Sequence, residues 1–134
     1  MPVATISYVA VILGAVSNMV LGFLWYGPLF GKPWMKLMNM TKDQMKGTDM
    51  GKAYGLTAVA ALVMSYVLAH FVDYVGATTL MDGAVLGFWL WLGFVATVAI
   101  NNVLWGGKSW NLYAIDVSYF LVALMVMGAI NGTL

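Results

Sequence analysis

Few side chains in this sequence could do chemistry, and most of them stand at the ends of apolar runs. Asp116 is the one carboxylate placed clearly inside such a run, one turn past Tyr113. An ionisable group within a membrane span costs about 2.5–3.5 kcal/mol on insertion scales, which makes it a functional candidate by default. Asn18, Asn101 and Asn102 should lie at comparable depth, and Lys108 is close enough in sequence to pair with Asp116. These four form a candidate polar cluster. It would be a ligand or small-cation site, or else a hydrogen-bond network fixing helix rotation at about 0.6 kcal/mol per bond. His70 and Asp73 are three residues apart and so share a helix face. An aspartate beside an imidazole favours the protonated ring, so they are a candidate proton-responsive pair or simply hydrogen-bonded structure.

Other chemistry is excluded or poorly served. The absence of cysteine removes disulfides, thiolate metal sites and thiol catalysis. His70 with Asp73 is too thin a constellation for a nucleophile and base, so no enzyme and no cofactor are expected. A metal site would need more ligands, with Asp82 the obvious recruit, and none is expected. The eleven methionines scatter widely. Met35, Met38, Met40, Met45 and Met50 read as flexible lipid-facing filler rather than a copper site. A net charge of +1 offers no basic stripe for nucleic acid.

The elements that position these groups are membrane spans. Of 134 residues, 63% are hydrophobic and only 8% charged, against about 25% in a soluble domain. A soluble fold with that composition would expose large apolar patches. Four apolar runs, Val3 to Tyr26, Ala53 to Tyr74, Gly83 to Trp105 and Leu112 to Ile130, are long enough to cross the bilayer. About 20 helical residues cross a hydrocarbon core of about 30 Å. The period-two alternation of a barrel strand is missing, so the expected fold is all-α, a polytopic bundle of four transmembrane helices. The N-terminus lacks the basic region and cleavage site of a signal peptide, so the first run is expected to remain.

Lysines and aromatics orient the bundle. Lys32, Lys36, Lys42, Lys46 and Lys52 lie in the first connection and Lys108 in the third, while the second is flanked by Asp73 and Asp82. The positive-inside rule puts loops 27–52 and 106–111 in the cytoplasm and both termini outside. The lysine-rich loop should also attract anionic headgroups, at about 1 kcal/mol per residue near the surface. Trp25, Tyr26, Pro28, Lys32, Pro33 and Trp34 form an interface motif, echoed by Lys108 and Trp110. Their rings are expected at headgroup level. Pro33 suits a first helical position, and Trp34, Met35, Leu37 and Met38 would then stripe a short interfacial helix. Thr41 with Gln44 matches a capping box for a further turn over Lys42 to Lys46, and Thr48 or Asp49 would cap the second span.

Small residues mark helix-packing faces. These are Ala10, Gly14, Asn18 and Gly22 in the first span, and Ala53, Thr57, Ala61, Ser65 and Ala69 in the second. The third offers Gly83 with Gly87, then Gly93, Thr97 and Asn101. The order Asn-Met-Val-Leu then Gly-Lys-Pro-Trp in the first half, against Asn-Asn-Val-Leu then Gly-Lys-Ser-Trp in the second, suggests either a duplication or two convergent interfaces.

The run Leu24 to Met38, with Leu62 to His70, Trp91 to Thr97 and Gly107 to Trp110, resembles a family of small bacterial membrane proteins known as domain of unknown function 1761. The resemblance covers nearly the whole chain and implies a four-helix protein of the bacterial inner membrane, with no cofactor or catalytic residue attached. The family usually has serine at Gly27 and Gly-Lys-Pro-Trp or its arginine form at the second motif. A homo-oligomer or partner subunit is the leading expectation. The alternative is a small transporter or channel for a small solute or cation along the polar cluster. Against the multidrug-exporter comparison, the chain has no membrane-embedded glutamate, and no glutamate at all.

Overall fold

The computed structural model describes residues 3–39 and 50–134. Four of its helices are long and apolar enough to cross a membrane: Tyr8–Leu29, Gly51–Val75, Leu80–Leu104 and Trp110–Thr133. Five regular α-helices carry the architecture: α1 (Tyr8–Leu24), α2 (Gly31–Leu37), α3 (Met50–Val75), α4 (Leu80–Trp91) and α5 (Trp110–Thr133). No strand occurs among the described residues, so the chain is an all-α, four-span bundle.

Local chemistry explains where the spans differ from the apolar runs. The hydroxyl of Ser7 accepts from the Ala10 N–H and starts α1 five residues after Val3. Thr79 caps α4 by accepting from the Asp82 N–H, and Ser109 caps α5 by accepting from that of Leu112. Each hydroxyl satisfies a donor that the first turn of a helix leaves open. At the far end of α3, Gly76 has φ +73° and Ala77 donates to the Val72 carbonyl at 3.0 Å. That left-handed residue is the usual glycine stop. The expected turn over Lys42 to Lys46, its Thr41–Gln44 box and the Thr48 or Asp49 cap lie outside the described residues.

The first span runs past Tyr26 because the chain widens instead of ending. Pro28 has no N–H to offer the preceding turn, and residues Trp25–Leu29 form a π-helix. Phe30 N–H reaches back five residues to the Trp25 carbonyl at 2.8 Å. The chain then bends at Gly31, where a Cβ would stand 2.6 Å from the Tyr26 carbonyl oxygen. Pro33 therefore sits at the third position of α2, not the first. It is still within the turn where a missing N–H costs nothing. Trp34, Met35, Leu37 and Met38 are half-buried while Lys32 and Lys36 are exposed, so α2 has the expected stripe.

The last helix is the hub. It packs along α4 most extensively, then along α1 and α3, and α1 also packs on α3. Between α4 and α5 the backbones touch. A Cβ on Gly83 would collide with the Gly128 carbonyl, one on Gly87 with the Leu124 carbonyl, and one on Gly132 would lie 2.7 Å from the Thr79 carbonyl. Gly83 with Gly87 on one helix thus faces Gly128 with Gly132 on the other. Without a hydrophobic force between helices in lipid, such close approach supplies the dispersion contact that holds them. Between α1 and α3 a single crossing does the same, with Gly14 against the Ser65 hydroxyl.

The small-residue faces are only partly used. Ala10, Gly14, Asn18, Ala61, Ser65 and Ala69 are buried, but Ala53 and Thr57 are exposed. In the third span Gly83 and Gly87 are buried, while Gly93, Thr97 and Asn101 are exposed. Six residues separate Gly87 from Gly93, and at about 100° per residue that rotates Gly93 off the face. The span also widens into a second π-helix over Leu92–Ala96. The two halves are packed differently, since Asn18 is buried and its counterpart Asn101 is not.

Gly128→Ala should therefore force α4 and α5 apart and destabilise by about 1–3 kcal/mol, the range for overpacking. Gly93→Ala, which meets nothing within 4 Å, should be neutral or stabilising by up to about 1 kcal/mol, because alanine is the better helix former. Thermal unfolding of both variants in detergent checks the contrast, and equal melting temperatures would contradict it.

Candidate functional site

Five aromatic side chains join α5 to its neighbours through their polar tips. Trp25 Nε1 donates to the Ile115 carbonyl at 3.0 Å, and Trp91 Nε1 to the Val117 carbonyl at 2.7 Å. The Tyr26 hydroxyl donates to Asp116 Oδ1 at 2.7 Å, and the Tyr113 hydroxyl to the Ala96 carbonyl at 2.8 Å. The Tyr119 hydroxyl has one proton to share between the Asn18 main-chain oxygen at 2.8 Å and its side-chain Oδ1 at 2.6 Å. An indole or phenol buried in a bundle needs such a partner, and lipid offers none. Tyr26 and Tyr119 meet edge to face at 5.3 Å, and Tyr26 meets Trp34 at 5.5 Å. The two pairs are therefore one layer that locks α1 and α2 onto α5.

The structure splits the candidate cluster. Asn18 and Asp116 both enter this aromatic layer, through Tyr119 and Tyr26. Asn101 and Asn102 are exposed on the third span, and the Asn101 amide donates to the Val98 carbonyl of its own helix at 3.1 Å. The hydrogen bond on Asp116 comes from Tyr26, and Lys108 is exposed, so the pairing expected between Lys108 and Asp116 is absent. The interface motif divides likewise. Trp25 and Tyr26 turn inward as helix-to-helix pins, whereas Pro28, Lys32, Pro33, Lys108 and Trp110 stay exposed.

At the opposite end, His70 and Asp73 share a face without bonding to each other. A His70 Nδ1–H donates to the Tyr66 carbonyl at 2.8 Å, and Asp73 Oδ2 accepts from the Thr5 N–H at 3.1 Å. A carbonyl cannot donate, so Nδ1 is the donor in this contact. The Thr5 contact ties the N-terminal strand of chain over α3 and frames a shallow cleft of about 460 Å³ with His70 on its wall. Among the described residues, no three His, Cys, Asp or Glu side chains group as metal ligands would.

A larger cleft, about 820 Å³, opens between α1 and α3, with Tyr119 and Phe120 of α5 also in its lining. Its walls are largely apolar, with Asn18, Tyr26 and Tyr119 among the polar side chains and, among the described residues, no charged side chain in its lining. A family model described as a protein of unknown function (DUF1761) matches residues 9–132. The chain belongs to that family. No curated protein and no solved structure matches it. In this DUF1761 chain the matched region takes in the four spans but for the first residue of the first and the last of the fourth, together with the aromatic layer and the larger cleft, whose lining lies within residues 18–120.

Sequence reasoning did not single out Tyr119, Trp91, Tyr113, Gly128, Gly132 or Asn131. The available signal was depth: Tyr119 falls near mid-span, where an aromatic belt has no use for a hydroxyl, so it needs an internal partner. Asn131 carries the same signal near the end of α5. Its Nδ2 donates to Ser65 Oγ at 3.2 Å and to the Met127 carbonyl at 2.9 Å.

Removing the phenol by Tyr26→Phe should leave a part-buried carboxyl without its donor and destabilise by about 1–3 kcal/mol. In a double-mutant cycle with Asp116→Asn, the two changes should couple by at least about 0.5 kcal/mol. Strict additivity in detergent unfolding would show that the contact contributes nothing.

Proposed function

We propose that this protein works without catalysis, as a homo-oligomer or as a subunit of a membrane complex. The supporting observation is the inner half of the third span. It leans on α5 along one edge and leaves Gly93, Thr97 and Asn101 exposed at four-residue spacing beside Phe94 and Val98. A small and polar row on an outer helix face is what lipid-embedded helices use to associate. A second copy of this chain is the simplest partner for it.

The alternative, a small transporter or channel for a solute or cation, draws less support. Its path would have to join Asn18, Asp116, Asn101 and Asn102, and the last two stand apart from the first two. Asp116 is also already engaged by Tyr26 at 2.7 Å.

Native mass spectrometry of the detergent-extracted protein should show one discrete homo-oligomer, retaining anionic lipid in preference to zwitterionic lipid. Gly93→Leu with Thr97→Leu should shift it toward monomer. A monomer in wild type would refute self-association. We place the chain in the bacterial inner membrane with the lysine-bearing loops inside. On the cysteine-free background, Gly47→Cys should react with an impermeant maleimide only after the cells are opened, and Thr78→Cys should react from outside. The reverse pattern would invert the orientation.

A further inference from the structure

We propose that the cleft between α1 and α3 binds a neutral, lipid-soluble molecule whose ring carbonyl accepts hydrogen bonds from the Asn18 side-chain amide. Asn18 is 6% exposed. Its two oxygens receive the Tyr119 hydroxyl, but its amide nitrogen makes no hydrogen bond in the structure. Among the described residues the one fully enclosed side-chain polar atom without a partner is Asn131 Oδ1. The Asn18 nitrogen is therefore not sealed in protein, and the cleft is the opening that Asn18 lines. Two N–H donors held inside a lipid-embedded bundle call for an acceptor, and water is scarce at that depth.

The cleft fixes the class of ligand. Its volume of about 820 Å³ falls within the usual 300–1,000 Å³ of small-molecule pockets. From Asn18 to Gly27 the wall runs nine residues, about 13 Å of helix, or roughly one leaflet of the hydrocarbon core. Among the described residues the lining holds no charge, and the Asp116 carboxylate already accepts from Tyr26, which favours a neutral ligand over a cation. A phospholipid keeps its ester carbonyls at the headgroup level, at the wrong end of the cleft for Asn18. An acceptor must instead enter first, on a ring, with an alkyl tail following toward the interface. Tyr119 and Phe120, stacked at 5.1 Å and 7°, give aromatic surface beside the amide for such a ring. These features together describe a quinone or aryl ketone bearing an alkyl chain.

The test uses the full chain in phosphatidylcholine nanodiscs, with decylubiquinone as probe and decylbenzene as its counterpart lacking the carbonyls. Decylubiquinone should bind saturably and at least ten-fold more tightly than decylbenzene. Asn18→Leu should remove that preference without changing decylbenzene binding, since Tyr119 keeps the main-chain oxygen of residue 18. Ala60→Trp, which fills the cleft wall, should abolish binding of both. Should Asn18→Leu fail to fold, the side-chain amide resonance of Asn18 in wild type should still shift with decylubiquinone and not with decylbenzene. Equal affinity for the two probes, no saturable binding, an unmoved resonance, or copy-to-copy crosslinking through Ala60→Cys would each overturn the proposal.

Discussion

Where α4 and α5 cross, two backbones lie against each other with only glycine hydrogens between them, and the bundle depends on that contact. In water a buried apolar face would hold two helices together without it. In lipid the surrounding solvent is as apolar as the side chains, so the helices gain only from atoms brought closer than lipid can come. Gly83, Gly87, Gly128 and Gly132 make that approach possible. Among the described residues the third span has no other substantial partner, so this seam and the Trp91 and Tyr113 bonds beside it are what hold it to the bundle.

The same constraint explains the aromatic layer. A helix in lipid already satisfies its own backbone, so the carbonyls of Ile115, Val117 and Ala96 accept a second, outside donor instead of lacking a first. Indole and phenol groups can supply it while their rings fill the space between helices. The π-helical turns belong to this scheme. The one over Trp25–Leu29 accommodates Pro28 and begins with Trp25 and Tyr26, both bonded to α5. The other, Leu92–Ala96, ends at Ala96, whose carbonyl receives Tyr113.

Much of the fold was legible in the sequence because it follows from composition: four long apolar runs with almost no charge have few other solutions. The ends of the spans were less legible, since single hydroxyls at Ser7, Thr79 and Ser109 set them. Packing faces could be read where small residues recur every fourth position, as in Gly14 and Asn18 or Ser65 and Ala69. Partner choice could not, because nothing in the order of residues says that Gly83 meets Gly128. The candidate site shows the same limit. Polar residues at similar depth looked like one cluster, but depth says nothing about rotation, and rotation separates Asn101 and Asn102 from Asn18 and Asp116. Trp25 and Tyr26 at a span's end looked like lipid anchors; only the turn made by Pro28 and Gly31 aims them inward.

The glycine seam is the contact on which the bundle most depends. Solid-state NMR of the protein in bilayers, with glycine labelled at Cα and the carbonyl carbon, tests it without altering the chain. Gly83 and Gly128 should give a direct through-space correlation, weakening in order toward glycines outside the seam such as Gly93. A spectrum in which Gly83 correlates with no glycine of α5 would contradict it.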